Sequence, residues 1–251
     1  MSRTIGIISA KGGVGKTVIT ANLLASMVNL SRDVIAVDAD IKVSGLGLQL
    51  GMYAFNKTLN DILKRRASLL EALYIHSSGL RIIPASLCVE NVDLSRLKST
   101  LNDRALADKI ILIDAPPGLE KNSLSILNAC DEALAVTLPE IPSMIDTIKT
   151  IVAAERNNCK LLGVIVNRYK KRSEQLTLDD IESVCGLPVV GVIPEDTTIL
   201  KSIFRRTPAV FLDPYAISSL QFRRMAHELL GIAHTPRRYP RMKRLLRRLR
   251  P

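Results

Sequence analysis

Residues 9–17 read Ser9-Ala10-Lys11-Gly12-Gly13-Val14-Gly15-Lys16-Thr17. They follow a short apolar run, Thr4–Ser9, and lead into a stretch with helical character. Glycines at 12, 13 and 15 let the backbone curl until its N–H groups point at one anion. A helix opening near Lys16 adds its positive end to the same place. Strand, glycine-rich turn and helix in that order define a phosphate loop. In such a loop Lys16 bridges the β- and γ-phosphates, the Thr17 hydroxyl ligates Mg²⁺, and the backbone from Gly12 through Val14 to Val18 lines the phosphates. The strict pattern GxxxxGK[ST] fails at one position, because Ala10 stands where the first glycine belongs. A second lysine, Lys11, follows it directly.

Working outward, apolar runs recur at Val34–Asp38, Leu80–Pro84, Lys109–Asp114, Glu132–Thr137, Leu161–Asn167 and Pro188–Ile193. They are unbroken rather than alternating, which suits strands buried on both faces of a parallel sheet. Helical spacing separates them, as in Ile145, Ile148, Ile151 and Val152. The repeated alternation predicts an α/β fold, doubly wound, with a mostly parallel sheet and helices on both faces. Doubly wound folds bind ligands at the carboxyl ends of their strands. Asp38 and Asp114 each end a run, and Asp40 follows two residues after Asp38. All three can converge on the loop. Asn167 ends another run, and its amide pairs a donor with an acceptor, as the edge of adenine requires. No guanine-type NKxD signal is present, which favours ATP.

Composition limits the alternatives. The chain has 251 residues, 47% of them hydrophobic and 24% charged, enough for a packed core. Aromatics are 4% and tryptophan is absent, which argues against base-stacking platforms. The four cysteines, Cys88, Cys130, Cys159 and Cys185, form no CxxC, so they read as core residues of a reducing compartment rather than as a zinc or iron–sulfur motif. His76, His227 and His234 have no metal-ligand spacing. Net charge is +11, but residues 237–251 carry eight basic and no acidic residues, leaving +3 on the rest. A near-neutral body disfavours nucleic-acid binding as the main activity. The cluster Arg168, Lys170, Lys171 and Arg172 reads as a solvated loop. No apolar run approaches the ~18 residues of a membrane span, and the first residues do not resemble a signal peptide, so a cytoplasmic protein is expected.

The segment Lys11-Gly12-Gly13-Val14-Gly15-Lys16-Thr17 resembles the deviant Walker A motif of the MinD/ParA family of P-loop ATPases, and the resemblance extends over about residues 3–230. It implies an ATP hydrolase that uses Mg²⁺ and forms an ATP-dependent homodimer. Lys11 would then reach the partner's phosphates, acting in catalysis with Lys16 and Asp40. By the same resemblance Asp38 supports the waters of Mg²⁺, and Asp40, on switch I, positions the attacking water. Asp114 is the Walker B carboxylate, and Gly118 belongs to switch II. The base lies against two strand ends, Asn167–Arg168 and Pro194–Glu195, with Asn167 as its main reader. Val18 departs from the family, which often has a second threonine there.

Residues 241–250 read Arg-Met-Lys-Arg-Leu-Leu-Arg-Arg-Leu-Arg. Met242, Leu245, Leu246 and Leu249 fall at i, i+3, i+4 and i+7, one helical stripe, and every other position is basic. This describes an interfacial helix, and it resembles the membrane-targeting helix of the family's MinD branch. The expected organisation is an ATPase domain over 1–230, a linker over 231–240 and a membrane helix over 241–251. Four partly inserted side chains at ~1.5 kcal/mol each give ~6 kcal/mol at most, so one tail binds weakly and two on a dimer bind well. The resulting expectation is an ATPase on the inner face of the cell membrane. It would dimerise on ATP, be released on hydrolysis with the help of a protein activator, and serve spatial positioning such as division-site placement. The alternative is a ParA-like ATPase that binds DNA nonspecifically and partitions DNA or cargo.

Overall fold

A computed structural model describes residues 2–88, 90–170 and 172–233. The linker beyond residue 233, the stripe Met242, Leu245, Leu246 and Leu249, and Lys171 of the basic cluster lie outside the described residues. Eight strands form one sheet: β1 (Arg3–Ile8), β2 (Val34–Asp38), β3 (Tyr74–Ile75), β4 (Arg81–Ile83), β5 (Ile110–Asp114), β6 (Glu132–Thr137), β7 (Lys160–Tyr169) and β8 (Val189–Pro194). Their order is β3-β4-β2-β5-β1-β6-β7-β8. Every pairing is parallel except β3 with β4.

Helices α1 (Lys16–Val28), α2 (Leu46–Gln49), α3 (Leu59–Leu63), α4 (Leu97–Leu101) and α5 (Lys121–Ala129) belong to the first half. Helices α6 (Ile141–Arg156), α7 (Leu178–Cys185), α8 (Thr197–Phe204), α9 (Ala209–Leu212) and α10 (Ile217–Leu229) complete the chain. They cover both faces of the sheet. Ile35, Val37, Ile111 and Ile113 join one core with Ile126 of α5 and Ala154 of α6. Val34, Ala36 and Leu112, the alternate positions, join the other with Leu23 of α1 and Phe222 of α10. Successive strand side chains point to opposite faces, so a strand covered on both sides needs an unbroken apolar run.

Each of the seven expected strands forms, with ends shifted by at most two residues. The eighth strand, β3, was not readable, being two residues long and antiparallel at the edge. Helix α6 has the expected period, but its apolar residues do not all face inward. Ile145 and Val152 are exposed, while Ser143, Thr147, Thr150 and Ala154 are buried. Ile151 is buried as expected, and of the polar residues on the buried side Thr150 meets the phosphate loop while Ser143 meets Thr137 and Leu138 at the end of β6.

Register sets the site. Asp38 of β2 pairs with Asp114 of β5, and Asp114 pairs in turn with Ile7 of β1. The two carboxylates therefore stand side by side where β1 turns into the glycine-rich loop.

Candidate nucleotide site

The loop between β1 and α1 is fixed from behind, which leaves its front for a ligand. The Ala10 N–H donates to Thr150 Oγ1 of α6 at 2.9 Å, and the Ala10 carbonyl accepts from the Gly118 N–H at 2.9 Å. The Val14 carbonyl accepts from Asn167 Nδ2 at 2.7 Å, and the Gly13 carbonyl from Arg168 Nη2 at 3.2 Å. Gly15 caps α1 at φ 100°, and a Cβ there would stand 2.4 Å from Asn167 Nδ2. Only glycine meets both demands. In front lies a cleft of about 380 Å³, lined by Gly12, Gly13, Lys16, Thr17, Asp40 and Gln49 among others.

Lys16 is 7% exposed at the floor. Burial pulls its ammonium below the ordinary value, and the nearby Asp114 and Asp40 charges pull it back up. Asp38 and Asp114 are fully buried. Burial, then the charge of Asp38, pushes Asp114 up to about 8, against the pull of the Thr17 hydroxyl and Lys16. Burial likewise raises Asp38 to about 6. Two buried carboxylates side by side beside one ammonium make a site short of positive charge. Asp114 Oδ2 is buried with no hydrogen-bond partner. An oxygen in that position fits a hydrated divalent cation, and Thr17 lines the same cleft.

Asp38 itself is engaged elsewhere. Its Oδ2 accepts from Ser44 Oγ, the Gly45 N–H and the Leu46 N–H, each at 3.0 Å, and its Oδ1 accepts from the Asp40 N–H at 3.1 Å. It anchors the loop from Asp40 to Leu46 onto β2. Asp40 lines the cleft, and its Oδ1 also accepts from the N–H groups of Lys42 at 3.3 Å and Val43 at 3.0 Å. It therefore shapes the loop as well as facing the ligand space.

Lys11 does not line the cleft. Its Nζ pairs with Glu140 Oε1 at 2.7 Å, just before α6. Gly118, at φ 93°, sits in the turn after β5 and touches the loop through Ala10. Asn167 is 8% exposed, and its amide is spent on the loop: Nδ2 on Val14 and Oδ1 on the Arg168 N–H. In this geometry it is a strut under the loop, with a second Nδ2 hydrogen beyond the one given to Val14. Pro194 pairs with Tyr169 across β8 and β7, the Glu195 N–H donates to the Tyr169 carbonyl, and Glu195 is ion-paired to Lys170 at 2.5 Å. The two strand ends expected at the base thus do meet.

Sequence reading missed Thr150, Ser44 and Glu140. Glu140 carried one usable signal, its place just after the end of β6. Thr150 carried none. Among the described residues no group of three or more His, Cys, Asp or Glu could hold a metal ion, and no helix is long and apolar enough to cross a membrane. The site defined by loop, lysine and paired aspartates is that of a P-loop ATPase.

Comparison with known proteins agrees. The CobQ/CobB/MinD/ParA nucleotide binding domain matches residues 5–209, and the chain belongs to that family. An uncharacterised ATP-binding protein of Methanocaldococcus jannaschii is 34% identical over 236 residues, 92% of this chain and 89% of that protein. The cell division ATPase MinD of Pyrococcus furiosus superposes with a TM-score of 0.86 at 33% identity, covering 93% of this chain and 100% of that one. The septum site-determining protein MinD of Pyrococcus horikoshii, solved with Mg-ADP, gives 0.84 at 33% identity, covering 91% and 96%.

Proposed function

We propose that this ATPase is a nucleotide-driven membrane switch. ATP joins two subunits, the paired C-terminal segments hold an anionic membrane, and hydrolysis, stimulated by a protein partner, releases both. The cycle would serve spatial positioning such as division-site placement. One observation carries the reading. Lys11 belongs to the phosphate loop, yet its ammonium is held by Glu140 outside the cleft that Lys16 occupies. A lysine so placed is available to phosphates on a second subunit, and association then depends on nucleotide. The pattern Met242, Leu245, Leu246 and Leu249 within a basic segment supports the membrane step.

Within one subunit the groups divide the task. The loop N–H groups and Lys16 hold the phosphates of ATP. Thr17 and the unpartnered Asp114 Oδ2 would hold Mg²⁺, with Asp38 bracing the adjacent loop; the Mg-ADP of the Pyrococcus horikoshii relative supports this. When bound, the cation supplies neutralising charge to the β- and γ-phosphates. Asp40 faces the cleft and accepts a hydrogen bond from the attacking water. The base rests on the strand ends Asn167–Arg168 and Pro194–Glu195.

The test is co-sedimentation with anionic vesicles, with and without ATP, of the full chain and of a chain ending at Ile232. The full chain should pellet with ATP and the shortened chain should not. A full chain that ignores vesicles but retards duplex DNA in the presence of ATP would overturn the reading.

A further inference from the structure

Helix α8 turns its apolar side to water. Leu200, Ile203 and Phe204 fall at i, i+3 and i+4, and they are 67%, 42% and 87% exposed. The helix buries Ser202 instead, whose hydroxyl donates to the Ile199 carbonyl at 2.7 Å. An amphipathic surface helix ordinarily buries its apolar stripe, so this orientation asks for a partner.

Charge says which kind. Beside the stripe, Lys201 and Arg205 pair with no carboxylate among the described residues, and Arg206 lies over the Tyr53 ring at 4.7 Å. A phenyl ring and two aliphatic side chains thus stand among three cations, of which Lys201 and Arg205 have no ion pair among the described residues and Arg206 meets a tyrosine ring. An anionic bilayer surface matches both parts, taking the apolar groups to its acyl boundary and the cations to its phosphates.

We propose that α8 is a second membrane contact, which inserts Phe204 and Leu200 into the interfacial region of an anionic bilayer. The proposal rests on the membrane reading above and adds a site within the folded body. Asp196 joins the start of α8 to the start of α10, accepting from the N–H groups of Thr198 and Ser218. The other end of α10 leads to Ala233, where the described chain stops. Thirteen residues of helix separate the two by roughly 20 Å. If both contacts meet one bilayer, each raises the effective concentration of the other.

The chain contains no tryptophan, so Phe204→Trp introduces a single indole at an exposed position. With ATP and anionic vesicles its emission should shift to the blue and be quenched by bromine-labelled acyl chains; neutral vesicles should leave it unchanged. Phe204→Gln with Leu200→Gln should weaken vesicle affinity about tenfold, ~1.4 kcal/mol. ATP hydrolysis without lipid should not change. Emission from Trp at 204 that stays unmoved by vesicles pelleting the chain overturns the proposal, as does a Gln pair that pellets like wild type. Loss of the ATP dimer by mass measurement, with vesicle affinity intact, assigns the stripe to a second copy and also overturns it. Leu245→Gln with Leu249→Gln separates the two readings. If that tail variant loses the vesicles while the α8 variants behave as wild type, the membrane switch stands and the α8 contact falls. If wild type itself never pellets, both fall.

Discussion

Lys16 and Asp114 are buried near one another, and each makes the other's charge tolerable: the carboxylate raises the lysine and the lysine lowers the carboxylate. Backbone N–H groups cannot replace that ammonium against two phosphates. Lys16→Ala should weaken ATP affinity by at least about 100-fold, ~3 kcal/mol, in isothermal titration. Unchanged affinity would remove the phosphate loop from the mechanism. Asp40 poses a finer question, because its Oδ1 also caps the turn at Lys42 and Val43. Asp40→Asn keeps that acceptor and removes the charge. It should bind ATP normally and hydrolyse it about 100-fold more slowly, the usual scale for a group that handles the attacking water's proton. A normal rate in the asparagine variant would leave Asp40 with the loop alone.

Asp196 ties two elements together, and its ionisation shows how. Burial alone would raise its pKa, but the N–H groups of Thr198 and Ser218 and the Ser218 hydroxyl outweigh it and hold the carboxyl below its ordinary value. A depressed pKa means that ionised Asp196 stabilises the fold above the unfolded chain's value near ~4, and that this stability is lost as pH falls through that value towards the lower folded one. Asp196→Ala should cost about 1–2 kcal/mol in urea unfolding at neutral pH, a cap loss at two helices. The gap to wild type should narrow as pH falls below the unfolded chain's value towards the lower folded one, where the native carboxyl also protonates. A gap independent of pH would mean that the charge contributes nothing. The same scale shows what was readable in the sequence. Val34–Asp38 and Glu132–Thr137 emerged with correct ends because burial on both faces leaves no alternation to misread. β3 did not, because Tyr74 is held by non-local groups: its hydroxyl accepts from the Lys57 N–H, and its ring meets Phe55 edge-on. Likewise Thr150 reaches Ala10 across 140 positions, and no local pattern marks a helix threonine as a loop support. The amide of Asn167 was legible as a donor and acceptor at a strand end, but whether it turned to a base or to Val14 depended on where the loop lay.

At the scale of the whole molecule, one ion pair holds Lys11 outside the ligand cleft. Lys11 and Glu140 are 129 positions apart, and their side chains remain 32% and 48% exposed. A pair that exposed contributes about 0–1 kcal/mol, strong enough to bias the lysine and weak enough to release it. The phosphates of a second subunit's ATP would outbid one carboxylate, because they present more negative charge in a drier interface. Two substitutions separate the roles. Lys11→Ala should keep nucleotide binding through Lys16 but remain monomeric with ATP in size-exclusion mass measurements. Glu140→Gln frees the lysine beforehand in both subunits, so it should strengthen the ATP dimer by up to about 30-fold, ~2 kcal/mol, the most that two exposed pairs can return. Excess salt should erase the difference between Glu140→Gln and wild type, since it screens the same pair. A Lys11→Ala chain that dimerises normally would end the crossing-lysine account. A weaker dimer in Glu140→Gln would show that Glu140 acts in the interface itself, and that holding Lys11 back in the monomer is not its role.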